Sequence, residues 1–531
     1  MGHPRAMRIP PRPPLTKGGW GDLKAIFYII IIDDLAKRLK RRISVIPAEA
    51  GIQLFQILKN SLGSGFHRSD DFLREHLIWI NNVFLILFLT SPFSLAHADV
   101  VDILSKFHPY ISLQEDYSDN INLTSANRKD DFITTVAPGL RFSTAPLASS
   151  LVPGQFQAMP VRPGMMVTPG QFPQSPPAPE SWGVDLNYLL GLVFYAQNNQ
   201  FNYVSHTGTL NTWYSFDPRF TLRLRDYFNR SEEPREREYS AGAPGDQFLI
   251  GVQRERAVYS RNVLEPTASY QFGREDRISL SYRNNIYQTQ SSLSQNSQEN
   301  FFSPSLTYWF DIRNGITLEY GLTRGDFQAS PNLWGHMGRA RYTYRFNPNT
   351  SIFGDYTFIR RDFDPPGIDY NLHSPSVGIE HAFSPSLTAR VQAGYYSRIP
   401  ETGSQNDGIT YDLGLTKIIE RTVLALSFQG GYREDFFTAQ NLGFTRYYRS
   451  IARISYPFTE RTNSSLSGSY EIIEFSSGQT DNVWRILGNF SYLALKWLAF
   501  SLTLSYLEDS STNSAAEYRE TRAILWIIVN P

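Results

Sequence analysis

The sequence predicts an all-β protein: a transmembrane antiparallel β-barrel of about 20 strands, with short turns at one end and longer loops at the other. Three observations predict it. Apolar and polar residues alternate with a period of two along segments of about ten residues or more. A unit of about 37 residues recurs from Phe216 onward. Aromatic residues mark both ends of each apolar stripe, as they do at the two interfaces of a bilayer.

Composition excludes several kinds of protein. The 531 residues contain no cysteine, which excludes a disulfide framework, a thiolate metal site and a cysteine nucleophile. Aromatic residues are abundant, with 36 Phe, 30 Tyr and 9 Trp in a chain that is only 41% hydrophobic. Residues 1–98 hold 13 Lys and Arg against 7 Asp and Glu, so the totals of 50 and 50 leave 37 against 43. With a net charge of −6, the remainder is not expected to bind nucleic acid.

The first hundred residues lack the alternating pattern. An apolar run from Leu77 to Leu89 is shorter than the ~20 residues that a membrane-spanning helix needs. It is followed by Ala96-His97-Ala98, a small-x-small sequence typical of a signal-peptidase site. We interpret 71–98 as a signal peptide, expect the mature barrel to comprise 99–531, and expect 1–70 to be an untranslated or disordered extension. The alternative is that the apolar run is a buried helix, and N-terminal sequencing of the purified protein distinguishes the two.

A tight polar turn follows an aromatic or apolar residue once in each repeat unit. Counted from Asp217, successive turns are 56, 38, 36, 37, 36, 39 and 36 residues apart, and an insertion at 230–246 explains the long first interval. Spacing this regular indicates one supersecondary unit used many times. The turns lie at 216–219, 272–275, 310–313, 346–349, 383–386, 419–421 and 458–461, with a weaker one near Leu495.

The residues after each turn show that the unit is built from strands. After the fifth turn, Leu387, Val391 and Tyr395 fall on one face, whereas Arg390 and Gln392 fall on the other. A soluble sandwich would also alternate, but its strands average about five or six residues. These segments have the length of about ten residues that a tilted membrane strand requires.

Two aromatic rings are expected at the two water–lipid interfaces. The first ring, at the turns, consists of Phe216, Phe272, Phe310, Phe346, Phe383 and Phe458. The second, nine to twelve residues later, consists of Tyr282, Tyr320, Tyr356, Tyr395, Tyr432, Tyr470 and Tyr506. Because lipid offers no water to an unpaired sheet edge, such strands must close into a barrel.

The strand count follows from the alternating segments. Twenty-one segments alternate, from 108–117 to 518–529, and an even number is expected. The excess is expected in 247–272, which we divide into strands at 249–259 and 262–272. We therefore predict 20 strands, within a range of 16 to 20, and a lumen wide enough to hold water.

The inward face carries charged residues that we predict to line the lumen. They support two hypotheses: a pore wall whose charges favour anions or acidic saccharides, or a network of salt bridges between strands that braces the barrel. If these residues line an open pathway, charge reversal at Arg339 and Arg341 should shift ion selectivity, whereas bracing leaves it unchanged. The predicted lumen-lining residues are Arg223, Arg225, Arg283, Glu319, Arg339, Arg341, Arg345, Asp355, Glu380, Arg390, Arg453 and Glu471.

No catalytic, cofactor-binding or metal-binding residue is predicted. Asp362, Asp364 and Asp369 could present oxygen ligands to Ca²⁺, but the EF-hand order is missing, and solvated loop charge is the alternative. The chain has no HExxH, GxSxG or Gly-rich phosphate loop. A hydrolase with Ser and His on the lipid face is the remaining enzymatic alternative. The Pro-rich segment 146–181 is interpreted as a loop insertion on the periplasmic side.

Two short segments near the expected mature N-terminus carry a family pattern. They run from Tyr110 to Ile121 (YISLQEDYSDNI) and from Asp131 to Leu140 (DFITTVAPGL). In these segments the chain resembles the putative outer-membrane β-barrel porin family, several members of which accompany exopolysaccharide or exosortase loci. The resemblance implies a passage or scaffold role in the outer membrane. The Pro-rich insertion departs from the family pattern, as does the C-terminal residue, where assembly machinery commonly reads an aromatic side chain.

Together these features predict a Gram-negative outer-membrane β-barrel that acts as a passive pore or export channel, for anionic solutes or polysaccharide. No enzymatic activity or cofactor is expected. The expected partners are outer-membrane lipid, the barrel-assembly machinery and polysaccharide-export components. The alternative is a non-conducting scaffold or surface-binding protein whose lumen is blocked by its own Arg–carboxylate network.

Overall fold

The computed structural model describes residues 105–144, 181–237, 250–252, 256–437 and 441–530. The predicted extension 1–70, the signal peptide 71–98 and nearly all of the Pro-rich segment 146–181 lie outside the described residues. Within the described part, no helix combines the length and the apolar character needed to cross a membrane.

The described residues form strands and one short 3-10 helix, Asn199–Phe201. The strands are β1 Phe107–Ser118, β2 Asp131–Ser143, β3 Trp182–Tyr195, β4 Tyr203–Ser215, β5 Phe220–Ser231, β6 Arg235–Arg237, β7 Ile250–Val252, β8 Tyr259–Gln271, β9 Arg277–Thr289, β10 Ser297–Trp309, β11 Asn314–Phe327, β12 Leu333–Asn347, β13 Thr350–Phe363, β14 Tyr370–Ser384, β15 Leu387–Pro400, β16 Asn406–Ile419, β17 Thr422–Asp435, β18 Gly443–Thr459, β19 Thr462–Phe475, β20 Thr480–Leu495, β21 Leu498–Ser511 and β22 Tyr518–Val529.

Twenty of these strands form one closed antiparallel sheet. Each strand pairs with the next along the chain, β5 pairs with β8, and β1 pairs with β22, so the sheet closes on itself. The predicted all-β barrel of 20 strands is therefore confirmed. The strand predicted at 249–259 is wrong, because β7 pairs only with β6 in a small hairpin outside the barrel sheet.

The outer surface of the barrel is apolar. In β11, Leu318 and Tyr320 are 41% and 42% exposed, whereas Thr323 on the opposite face is 6% exposed. Leaving a large apolar side chain in water forgoes about 1.5–3 kcal/mol, so a surface made of such residues is suited to contact with lipid. The predicted ring of Phe residues lies on this surface, with exposures from 37% at Phe272 to 62% at Phe346 and Phe383.

Several tyrosines of the second ring share one hydrogen-bonding arrangement. The hydroxyl of Tyr320 lies 2.7 Å from Nδ1 of His336, and the hydroxyl of Tyr356 lies 2.8 Å from Nδ1 of His373. In both pairs the histidine is on the next strand, opposite the residue that lies two positions after the tyrosine. The rings therefore lie on the apolar belt while their hydroxyls point to its polar margin, as expected for an interfacial girdle.

The two ends of the barrel differ in the length of their connections. At one end the turns are as short as 385–386, 420–421 and 460–461. At the other end, which we call the long-loop end, the connections include 119–130, 290–296 and 364–369. Several long loops are shorter than the sequence suggests, because the strands run to 17 residues in β18, beyond the ~9–11 that cross a bilayer. Short turns face the periplasm in bacterial barrels.

Candidate functional site

The candidate site is the inner wall of the barrel, where alternate residues of every strand face away from lipid. Arg339 on β12 lies between two carboxylates, with Nη1 3.3 Å from Oε2 of Glu319 and Nε 2.9 Å from Oδ1 of Asp355. Arg341 donates from Nε to Oδ2 of Asp355 at 2.8 Å. The four side chains are between 4% and 13% exposed. They form one continuous network across β11, β12 and β13.

Most of the other predicted lumen residues also have charged partners. Arg225 pairs with Glu265 at 2.8 Å, and Arg283 pairs with Glu299 at 2.8 Å. Arg390 lies 3.7 Å from both Glu380 and Asp412, which is a longer and weaker contact.

The three remaining predicted arginines lie at other points of the inner face. Arg345 lies near the short-turn end, where it stacks on Trp309 at 3.6 Å and pairs with Glu275 of the β8–β9 turn. Arg223 lies on the inner face of β5, and its Nε is a buried donor without a protein partner. Arg453 is on the inner face of β18, opposite Ser467 of β19.

Glu471 on β19 is surrounded by three guanidinium groups. Its carboxylate lies 2.9 Å from Arg433, 2.8 Å from Arg449 and 3.5 Å from Arg485, and its side chain is 1% exposed. Sequence reasoning identified the glutamate but missed the three arginines, although continuing the alternation along β17, β18 and β20 would have placed them on the inner face. Asp435 lies 3.6 Å from Arg433. Its carboxylate further lowers the net positive charge of this cluster.

The paired charges bear on the two hypotheses for the lumen wall. Salt bridges between neighbouring strands are what the bracing hypothesis requires. Paired charges also weaken the selectivity expected from the arginines, because each carboxylate cancels part of their field. Whether these side chains line an open pathway stays a prediction.

The long-loop end of β17 leaves the wall of the barrel. β16 pairs with β17 only from Ile419–Thr422 to Tyr411–Gly430, although β15 pairs with β16 as far as Asn406. Gly431 has a φ of 151°, a conformation that favours glycine. β17 and β18 stay paired beyond this point up to Asp435–Gly443. β18 also stays paired with β19 as far as Thr445–Phe475, so the sheet separates only between β16 and β17. We call the paired ends of β17 and β18 on the free side of this gap the inward hairpin (residues 431–437 and 441–446).

Side-chain contacts show that this hairpin folds into the lumen. Leu426 and Phe428 of β17 are on the lipid face, and by alternation Glu434 belongs to the same face. Yet Glu434 accepts hydrogen bonds from Arg361 of β13 and Tyr370 of β14, whose side chains are on the inner face. The outer face of the hairpin thus packs on the inner face of the wall.

An apolar cluster fills the space between the hairpin and the wall. Phe436 packs edge-on against Phe363 at 5.6 Å between ring centroids, and Phe437 stacks on Phe327 at 5.3 Å. Tyr432 packs against Tyr396 and Phe444, so its predicted place in the outer aromatic ring is wrong. The buried members of the cluster are Leu333, Met337, Ile359, Tyr370, Leu372, Tyr396, Phe436, Phe437 and Phe444.

The tip of the hairpin reaches almost the opposite side of the barrel. Both Nη atoms of Arg261 lie 3.3 Å from the carbonyl oxygen of Phe437. Arg261 belongs to β8, the sixth strand of the barrel, and Phe437 follows β17, the fifteenth of 20. At the long-loop end the hairpin therefore divides the lumen into a sector along β9–β16, occupied by the apolar cluster, and a sector along β18–β22 and β1–β5.

Loop residues cover the second sector. Arg256, from the β5–β8 connection, donates to the hydroxyl of Tyr195 at 2.7 Å and to the carbonyl oxygen of Ile121 at 3.0 Å. Leu123 of the β1–β2 loop packs on inner residues of β20–β22, including Leu507. Two loops, the β5–β8 connection and the β1–β2 loop, thus narrow this sector at the long-loop end.

The three aspartates considered for Ca²⁺ each bind a neighbouring group of the protein. Asp362 pairs with Arg360 at 2.7 Å, Asp364 accepts from Asn332 at 2.9 Å, and Asp369 accepts from the backbone of Phe363 at 2.7 Å. In the described part of the chain, no three His, Asp or Glu side chains converge as a metal site.

Comparison with known proteins places this geometry in a family context. Residues 332–530 match the family described as "Putative beta-barrel porin 2". No curated protein matches the chain.

Three solved structures illustrate the similarity to other barrels. The siderophore receptor PirA from Pseudomonas aeruginosa has 7% identity and a TM-score of 0.44, with 80% of each chain covered. OccAB2 from Acinetobacter baumannii has 10% identity and a TM-score of 0.37, covering 81% of this chain and 99% of that chain. OprD from Pseudomonas aeruginosa has 8% identity and a TM-score of 0.35, with coverage of 80% and 96%.

The match at 332–530 spans β12 to β22, which includes the inward hairpin and the strand that closes the sheet onto β1. The apolar outer belt of the same strands is the surface that such a barrel turns to lipid. The chain is therefore an outer-membrane β-barrel, and over residues 332–530 it carries the sequence pattern of the β-barrel porins.

Proposed function

We propose that the protein is a passive channel that admits polar solutes across the outer membrane and is narrowed at its long-loop end by the inward hairpin. The observation that carries the proposal is the closed sheet of 20 strands with an apolar outer face and a polar inner wall. Strands spaced about 4.8 Å apart and tilted by about 40° enclose a barrel roughly 40 Å across, which leaves room for water. The porin match and the barrel fold point to a channel rather than an enzyme.

The candidate substrates are anionic solutes and polysaccharide. The inner arginines support anions only weakly, because most of them are paired with carboxylates, as Arg339 is with Glu319 and Asp355. A polysaccharide requires hydroxyl and amide partners rather than a net charge, and the sector along β1–β5 offers them. Partnership with polysaccharide-export components stays a prediction.

A second candidate function is a non-conducting scaffold. The observation that favours it is the apolar cluster, which occupies one sector of the lumen, together with the loops that cover the other. In that case the narrowed mouth is a permanent seal and the loops present the binding surface. Conductance separates the two functions.

The experiment is single-channel recording in planar bilayers with the wild type and with a Phe436→Ser, Phe437→Ser double variant. Removing the two buried rings should release the inward hairpin, so we expect a wild-type conductance that rises several-fold in the variant. A matched control is Leu293→Ser with Ile368→Ser, since these loop residues are 63% and 50% exposed. The control should conduct as the wild type does.

Each result has one interpretation. Steps in the wild type support the channel, and a silent wild type with a conducting double variant supports the scaffold. If both proteins insert and remain silent, the channel is wrong. Selectivity is measured by the reversal potential of Arg339→Glu with Arg341→Glu, and an unchanged value identifies these two arginines as bracing residues.

A further inference from the structure

One wall of the lumen differs in chemistry from the rest. It runs from β22 through β1 to β5 and lines a cavity of about 970 Å³, counted with its open side. The cavity lies in the sector that the apolar cluster leaves free. If the lumen conducts, its path runs along this wall, beneath the loops that cover the sector.

Neutral polar, aromatic and aliphatic side chains line this wall. Thr207, Asn229 and Ser231 contribute hydroxyl and amide groups, and Trp526 presents its ring, whereas the ring of Tyr227 is buried. An aromatic ring can stack on the C–H face of a sugar ring. Hydroxyl and amide groups can both donate hydrogen bonds to sugar hydroxyls and accept them. This combination is the chemistry of a saccharide.

The wall is held together by long hydrogen bonds between neutral groups. Oγ1 of Thr207 lies 3.2 Å from Oδ1 of Asn229, Nδ2 of Asn229 lies 3.4 Å from the hydroxyl of Tyr259, and the hydroxyl of Tyr203 lies 3.3 Å from Oγ of Ser231. Optimal O–H···O bonds are about 2.7–2.8 Å. A hydroxylated ligand can replace such long contacts with shorter ones, so little is lost when it binds.

Charge at the cavity disfavours an anionic ligand. Its charged lining residues are Asp116, Glu233 and Arg522. Asp116 takes Arg522 in a bidentate pair, and Glu233 lies 4.0 Å from the same guanidinium. Two carboxylates and one guanidinium give this site a net charge of −1, in contrast to the cluster of three arginines around Glu471.

We propose that the β22–β5 wall is a binding site for neutral saccharides, which slide along it on their way through the barrel. This proposal rests on the proposed channel function for the direction of travel, whereas binding itself can be measured without conductance. Trp526 provides the stacking surface, and Thr207, Asn229 and Ser231 bind the hydroxyls. The proposed ligand is neutral, whereas the arginines of the inner face suggested anionic solutes.

The test is calorimetric titration of the full chain in detergent micelles with maltohexaose. The charged comparison is an oligogalacturonate of the same length, and sorbitol is the comparison for unspecific hydroxyl binding. We expect maltohexaose to bind at least tenfold more tightly than either. Trp526→Ala should weaken that binding about tenfold, and Thr207→Val should weaken it a few-fold. The matched control is Trp484→Ala, which removes a ring of the same type that is 51% exposed on the lipid face.

The outcomes separate this proposal from the channel. Tighter binding of oligogalacturonate, binding no stronger than that of sorbitol, or equal binding by Trp526→Ala and Trp484→Ala would each overturn the saccharide site. In bilayers, maltohexaose should interrupt the wild-type current in a way that Trp526→Ala abolishes. A wild type that binds maltohexaose but never conducts keeps the site and rejects the channel, whereas a conducting wild type without binding does the reverse.

Discussion

At the scale of single residues, the inner wall depends on carboxylates that are almost fully buried. Glu471 is 1% exposed and neutralises part of the charge of three arginines. Removing one partner of a buried ion pair leaves the others uncompensated and typically costs about 3–5 kcal/mol.

We therefore expect Glu471→Gln to lower the temperature at which the unboiled gel band shifts to the unfolded position, and to move the reversal potential toward anions. The control is Glu275→Gln, because the Glu275 side chain is 42% exposed. Exposed pairs contribute about 0–1 kcal/mol, so the control should shift little. Equal shifts in the two variants would contradict the role given to Glu471.

Glu275 also gives a pH dependence. The hydrogen bond from Arg345 lowers the pKa of Glu275, and the charges of Arg345 and Arg274 lower it further. A carboxyl whose folded pKa is lowered contributes stability that is complete above its unfolded pKa of ~4.3 and is lost as the pH falls through the folded pKa. In urea titrations the wild type should be slightly more stable than Glu275→Gln at neutral pH, and the two should converge in acid. A difference that grows in acid would contradict the assignment.

At the scale of elements, the inward hairpin is the feature that local patterns do not predict. Alternation along β17 places Tyr432 and Glu434 on the same face of the strand as the lipid-facing residues, and they do lie on that face. The strand itself turns inward after Gly430 and Gly431, where the pairing with β16 ends. The adjacent glycines were the only sequence signal, and a glycine pair is common in many strands that stay in the wall.

The contact between the hairpin tip and the β11–β12 loop can be fixed covalently. Nδ2 of Asn441 lies 3.1 Å from Oγ of Ser330, and the chain has no native cysteine to compete. We expect Ser330→Cys with Asn441→Cys to form a disulfide on mild oxidation, visible as a gel shift that reductant reverses. In bilayers the oxidised protein should show fewer open–closed fluctuations than the reduced one.

The control for this cross-link is Ser386→Cys with Asn441→Cys, because Ser386 lies in a turn at the short-turn end. It should remain uncrosslinked. A double variant at Ser330 and Asn441 that stays reduced in a folded barrel would show that the tip does not reside at the β11–β12 loop.

At the scale of the whole molecule, the sheet closes because the first and last strands of the described chain pair with each other. β1 pairs with β22 from Ile111–Val529 to Ser118–Arg522. Without β22, the edges of β1 and β21 would meet lipid with unpaired backbone groups, each costing several kcal/mol.

Deletion of residues 518–531 should therefore abolish the heat-modifiable gel band and leave the protein aggregated or protease-sensitive. A Gly-Ser insertion into the 401–405 loop, which lies outside the strands, is the control and should preserve that band. A truncated chain that still migrates as a compact barrel would show that closure does not require β22.

The sequence alone determined the all-β architecture, the number of barrel strands, the lipid and inner faces, and the ring of Phe residues at the short turns. Each of these follows from local alternation, because neighbouring residues of a strand must face opposite environments. The sequence also placed Arg339, Asp355 and Glu319 on one face.

Only the tertiary structure decided which charges pair across strands, and which part of the wall turns inward. Glu434 meets Arg361, 73 positions away, because a hairpin crosses the lumen, and alternation along one strand contains no information about the path of another. The same fold covers the inner face of β12–β15 with the apolar cluster and leaves the β22–β5 wall lined largely by polar side chains, because the cluster fills one sector and not the other.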